Sequence, residues 1–302
     1  MSDLERLMAF LGQLPTEATL DAKRRAYDRA EKAFPLPDGV AVQPCSDGGV
    51  AGERIVVRDA VDGRRLLYLH GGGYGIGSSR SHRHLAAALG VAARAEVWLP
   101  DYRLAPEHRF PAAVDDALAV YRALLSGSTP DRLAIAGDSA GGGLTVATLL
   151  AARAADLKLP AAAVCLSPWV DLSLGPDSPV ARAAKSDPLV KYDEISTYAR
   201  AYLGDTRADD PLASPIFGDL KGLPPLLIHA GSTEALVSDA TRLAEAARGA
   251  GVDVTLELGE GTPHVWHWFW PRLDLARDAI KKVGVFLNDH LAGETAKRRA
   301  TA

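Results

Sequence analysis

Two cysteines in 302 residues exclude a disulfide framework. Cys165 falls inside the apolar run Ala161–Leu166, where a buried, reduced thiol is the expected state. Neither sign of charge dominates. Thirty-four Lys and Arg face 38 Asp and Glu for a net charge of -4, and the two kinds are interspersed. No basic stripe is present to neutralise a phosphate backbone, so nucleic acid is not an expected partner. Long hydrophobic runs are also missing. None approaches the ~18 residues that would cross a bilayer, which argues against stable membrane insertion. The apolar residues of the first fourteen positions are broken by Asp3, Glu5 and Arg6, unlike the core of a secretory signal. A cytoplasmic location is the resulting expectation.

What is present suits one large α/β domain. At 47% hydrophobic and 24% charged, the chain can bury a sizeable core. Residues 1–34 read as one or two amphipathic helices stopped by Pro35 and Pro37. Two β-type runs follow, Arg54–Asp59 and Arg64–His70, and Asp62-Gly63 between them predicts a hairpin. Apolar runs then recur at Glu96–Leu99, Arg132–Ala136, Ala161–Leu166, Pro225–His229 and Val252–Leu258. Helix-compatible segments separate most of them: Ser81–Ala93, Ala112–Leu125, Gly142–Leu157 and Glu234–Gly249. Such alternation predicts a mostly parallel sheet covered by helices on both faces. A last helix is expected over Leu273–His290, with a frayed tail after Gly293. The stretch Asp171–Pro215 breaks the rhythm, offering one helical piece at Asp193–Leu203 and no strand. An insertion this long between sheet strands suits a lid. The expected division is a catalytic core over 46–171 and 213–302, with a helical cap over 1–45 and 172–212.

Chemistry concentrates in a few short motifs. Gly137-Asp138-Ser139-Ala140-Gly141 sits between a predicted strand and a predicted helix. That context places Ser139 on a tight turn at the carboxyl end of the sheet, with helix N–H groups aimed at it. A bare Gly-x-Ser-x-Gly string is weak in a glycine-rich chain; the strand before it and the helix after it give it meaning. Upstream, His70-Gly71-Gly72-Gly73-Tyr74 follows a strand. Glycines there let backbone N–H groups face an oxyanion, and the favoured donors are Gly72, Gly73 and Ala140. A dinucleotide-binding turn is the rival reading, and GGGYGIG never completes Gly-x-Gly-x-x-Gly. His70 reads as an orienting residue at the base of the loop.

The base must come late in the chain for this arrangement. Among eight histidines, His264 lies on the loop after the last predicted strand, with His267 its neighbour to exclude and His290 inside the last predicted helix. His82 and His84 resemble a metal pair only superficially, and the start of a surface helix is the expectation. For the acid two carboxylates are available. Glu234 stands at a loop-to-helix junction and is favoured; Asp239 falls more than a turn into the predicted helix, where a helix-face or surface role is expected.

These residues resemble the bacterial hormone-sensitive-lipase-like esterases, the family IV esterases of the α/β-hydrolase superfamily. The likeness is carried by His70–Tyr74, by Asp101–His108 (DYRLAPEH), by Phe110–Ala113 (FPAA), by Gly137–Gly142 (GDSAGG) and by the His264 loop. It implies an α/β-hydrolase fold with a helical cap, hydrolysis of small-molecule esters with short- to medium-length acyl chains, no cofactor, and a homodimer. The family's acid motif reads Asp-Pro-Leu-x-Asp. Here the positions read Glu234-Ala235-Leu236-Val237-Ser238, so the acid becomes Glu and a second Asp is displaced to Asp239. Arg103 is expected to pair with a nearby acid beneath the site. Trp266, Trp268, Phe269 and Trp270 form an aromatic cluster suited either to lining a pocket or to core packing. The Pro263–Trp266 loop looks like that of lactone hydrolases, so a lactonase or amidase is the alternative enzyme. A ligand receptor on the same scaffold is the non-enzymatic alternative, and the presence of His264 argues against it.

Overall fold

The computed structural model describes residues 2–12, 17 and 19–292. The expected frayed tail after Gly293 lies outside the described residues. Three helices open the chain: α1 (Asp3–Leu11), α2 (Leu20–Asp28) and α3 (Ala30–Ala33). Ser2 and Glu5 form a capping box on α1, and Thr19 caps α2. A β-hairpin follows, β1 (Val40–Asp47) and β2 (Val50–Val57). Gly48 and Gly49 turn it with positive φ of 61° and 82°, where only glycine sits without strain.

The remaining elements alternate: β3 (Arg65–Leu69), α4 (Ser79–Ala93), β4 (Glu96–Pro100), α5 (Ala112–Ser126), β5 (Leu133–Asp138), α6 (Ala140–Ala154) and β6 (Ala162–Leu166). The insertion supplies α7 (Pro179–Ala183) and α8 (Tyr192–Leu203). Then come β7 (Leu226–Gly231), α9 (Val237–Gly249), β8 (Val254–Gly259) and α10 (Asp274–His290). The eight strands of the described residues form one sheet in the order β1-β2-β4-β3-β5-β6-β7-β8, antiparallel at β1, β2 and β4 and parallel from β4 through β3 to β8.

Alternate residues of the central strands feed two cores. Leu67, Leu69 and Ile135 pack with Val114 of α5, Leu144 of α6 and Leu243 of α9. Leu66, Tyr68 and Ala136 pack on the other face with Leu85 of α4 and Ile280 and Val283 of α10. The period-two alternation of strands thus fixes which helices cover which face.

Two expectations are corrected. Asp62-Gly63 does turn the chain, with Gly63 at φ 72°, but β2 and β3 are not hairpin partners. β4 inserts between them, and the true hairpin is β1–β2. Local turn chemistry reported a reversal correctly; it carried no information on which strand would fill the gap. The sheet also reaches back to Val40, inside the segment 1–45 expected to be cap. Pro44 is tolerated because β1 is the edge strand.

Candidate active site

The carboxyl ends of β3, β5, β6, β7 and β8 converge on one cavity of about 670 Å³. β5 delivers Ser139. Its backbone sits at φ 53°, ψ -121°, a strained conformation for a non-glycine residue. Neighbouring chain over-determines that strain: Ser139 N–H donates to Leu166 O at 2.8 Å, and Ser139 O accepts from Trp169 N–H at 2.9 Å. Close packing requires small residues on either side. A Cβ on Gly137 would lie 2.2 Å from Gly141 O, and one on Gly141 would lie 2.0 Å from Leu69 O. α6 starts at Ala140, so its free N–H groups and dipole point at the serine.

β3 ends in the glycine loop. Gly72 has φ 113°, open only to glycine, and Gly72 and Gly73 both line the cavity beside Ser139. Their N–H groups have no protein acceptor among the described residues. Asp138 ties this loop to the turn that carries Ser139. Its Oδ1 accepts from the Tyr68 hydroxyl at 2.6 Å and from Gly71 N–H at 3.1 Å, while His82 Nε2 stands 3.4 Å from Oδ2. Burial works to raise the pKa of Asp138, but the charge and hydrogen bond of His82, with the Tyr68 hydroxyl, outweigh it, so the carboxylate lies below its ordinary value. His70 is stacked on Tyr102 at 4.2 Å, and burial pushes its pKa down to about 3. The neutral ring therefore donates from Nδ1 to Gly71 O at 2.8 Å and braces the loop.

β7 and β8 bring the other two groups. Glu234, fully buried, places Oε1 3.4 Å from His264 Nδ1; its Oε2 accepts from Ser167 Oγ at 2.7 Å and Gly231 N–H at 2.8 Å. His264 lines the cavity with Ser139. Burial lowers the imidazole's pKa, yet the Glu234 carboxylate, by charge and by hydrogen bond, with Asp187 and Asp138 behind it, reverses the balance and raises it. His267 faces elsewhere: its Nε2 lies 3.0 Å from His229 Nδ1.

Asp239 lies in a different place from the one expected. α9 begins at Val237, so Asp239 falls in its first turn, and the side chain is fully buried. Its Oδ2 accepts from the N–H groups of Val170 and Asp171, both at 3.0 Å, which pins the loop after β6. His82 and His84 are buried near the start of α4, with 1% and 2% exposure, where a surface position was expected. Arg103 pairs with Asp116, with nitrogen–oxygen distances of 2.7 and 2.9 Å. Of the aromatic cluster, Trp268 and Phe269 line the cavity, while Trp266 packs with Leu273 and Ala276.

Two polar residues escaped the sequence reading. Ser167, at φ 48°, donates to Glu234 and accepts from Val265 N–H at 3.0 Å, so it joins the two loops. Asp187 accepts from Leu189 and Val190 N–H through Oδ1 and from Ala235 N–H through Oδ2 at 2.6 Å, fastening the insertion to the Glu234 turn. Nothing local to Asp187 tells that its carboxylate reaches position 235, 48 residues on.

Comparison with known proteins agrees with this architecture. Residues 66–268 match the family defined by the alpha/beta hydrolase fold. An acetyl-hydrolase of Streptomyces hygroscopicus is 49% identical over 274 residues, covering 89% of this chain and 89% of its own length. A putative acetyl-hydrolase of Mycobacterium tuberculosis, LipR, is 36% identical, covering 95% of this chain and 89% of its own. The crystal structure of an esterase from the bacterial hormone-sensitive lipase family superposes with a TM-score of 0.91 at 42% identity, over 97% of this chain and all of that one. The chain belongs to the α/β-hydrolase family, in its bacterial hormone-sensitive-lipase branch. It is a carboxylic ester hydrolase.

Proposed function

We propose that the protein hydrolyses short- to medium-chain carboxylic esters, acetyl esters foremost, through Ser139, His264 and Glu234 and an acyl-enzyme intermediate. One observation carries the reading. An imidazole backed by a buried carboxylate shares a cavity with a serine on a strained strand-to-helix turn. Glu234 holds the Nδ1–H tautomer of His264 and offsets the imidazolium that forms. His264 Nε2 takes the Ser139 hydroxyl proton as Oγ bonds to the ester carbonyl carbon. The N–H groups of Gly72, Gly73 and Ala140 receive the oxyanion, each worth roughly 10²–10³ in turnover by analogy with other oxyanion donors. Collapse breaks the carbon–oxygen bond, and the leaving alkoxide takes the proton from His264. Water then gives His264 a proton, attacks the acyl carbon and frees the carboxylic acid, returning the proton to Ser139. The names of the acetyl-hydrolase relatives support the choice of acyl group.

The test is active-site labelling by an alkyl p-nitrophenyl phosphonate with peptide mapping, beside p-nitrophenyl acetate turnover. Labelling on Ser139 and loss of turnover in Ser139→Ala are expected. An active Ser139→Ala protein overturns the assignment.

A further inference from the structure

An ester has two halves, and the cavity is large enough to ask which half fills it. An acetyl group has three heavy atoms, together about 90 Å³ if each takes the share of a water molecule. The cavity is about 670 Å³, so an acetate leaves most of it to the alcohol half. Proton transfer fixes where that half must lie. The leaving oxygen receives its proton from His264, so the alcohol leaves on the side of the His264 loop.

The walls on that side are aromatic. Trp268 and Phe269 follow His264 on a single 3-10 turn, and the N-terminal helices supply Tyr27 from α2 and Phe34 just beyond α3. The rings brace one another edge to face: Trp268 lies 5.9 Å from Tyr27 and 6.3 Å from Phe34, at 63° and 86°, and Phe34 lies 6.4 Å from Phe269 at 70°. Phe34 also stacks on His84 at 4.4 Å, and His84 Nε2 is 3.0 Å from Trp268 O. Such a slot is preformed, and its exposed ring faces and edges suit another aromatic ring. Beside the nucleophile's own backbone the wall is Trp169, buried and held by its Nε1–H to Asp171 O at 3.0 Å, which limits growth of the acyl chain there.

We propose that the aromatic lobe holds the alcohol half, so that the preferred substrates are acetates of bulky aromatic alcohols. This rests on the ester-hydrolase reading above. Two series of substrates test it with the full chain. Methyl, benzyl and 2-naphthylmethyl acetate enlarge the alcohol at nearly constant leaving-group acidity. p-Nitrophenyl acetate, butyrate and octanoate enlarge the acyl group at a fixed alcohol. The expected result is a kcat/KM that rises about tenfold or more from methyl to 2-naphthylmethyl acetate, the scale of one or two aromatic contacts, and falls beyond butyrate in the second series. In Phe34→Leu and Trp268→Leu proteins, the naphthylmethyl-to-methyl ratio should shrink toward one, chiefly through KM. A flat first series with octanoate preferred, or a ratio unmoved by both variants, overturns the proposal while p-nitrophenyl acetate turnover leaves the parent reading standing. Absence of any Ser139-dependent ester turnover overturns the parent reading instead.

Discussion

Replacing Asp239 by Asn should make the protein's stability less dependent on pH while sparing its turnover. Burial, with the charge of Asp171 adding to it, pushes the Asp239 carboxyl up to about 7, against the pull of two backbone N–H donors and Arg242. In the unfolded chain the same group titrates near 3.9. Between those values the native state holds a proton that the unfolded state has released, so this group's contribution to stability is fully present at low pH and is lost as pH rises through about 7. The whole effect is ~4 kcal/mol at 1.4 kcal/mol per unit, of which about 3 kcal/mol falls between pH 5 and pH 8. Asn removes the titration and keeps an acceptor for the Val170 and Asp171 N–H groups. Urea denaturation of wild type and variant at pH 5, 6, 7 and 8 measures the difference directly. The Asn protein should gain about 3 kcal/mol relative to wild type across that range and keep p-nitrophenyl acetate turnover within about threefold, because Asp239 bonds the loop and not His264. A parallel pH slope in both proteins refutes the burial argument. A loss of turnover as large as that of Glu234→Gln would show that the carboxylates have been given each other's roles.

Glu234→Gln should lower kcat by roughly 10⁴, the cost of a mis-set histidine tautomer, with far-UV circular dichroism unchanged. Because His264 is raised above its ordinary 6.5 and must be neutral to serve as the proposed base, the acid limb of kcat/KM should have its midpoint above pH 6.5. Residual activity of the Gln protein should show that limb at lower pH, and a limb that stays put would remove Glu234 as the cause. Ser167→Ala leaves Glu234 Oε2 with one donor fewer and frees Val265 N–H, so kcat should fall roughly tenfold, with unfolding easier by about 2 kcal/mol in urea. Gly71→Ala would put a Cβ 2.2 Å from Asp138 Oδ2 and displace the glycine loop proposed to hold the oxyanion; acetate turnover should drop at least about 10²-fold in a protein that still melts cooperatively.

Much of the molecule was legible from one-dimensional pattern. Apolar runs located the strands β4 to β7 to within a residue or two, because strands buried on both faces admit almost nothing else. The small residues around Ser139 were readable for a similar reason: at Gly137 and Gly141 the backbone leaves no space for a Cβ. Positions where sterics forbid nearly every alternative are visible without coordinates. The β1–β2 hairpin was missed because Pro44 and polar residues blur the pattern of an edge strand.

Contacts between distant segments follow another logic. Glu234 and Asp239 are five residues apart, both fully buried, and equal in charge when ionised; only the paths of the loops after β6 and β8 give one to His264 and the other to Val170 and Asp171. The same holds for Ser167, Asp187 and His82, whose long-range partners lie from 48 to 98 residues away in the chain, too far for local pattern to register.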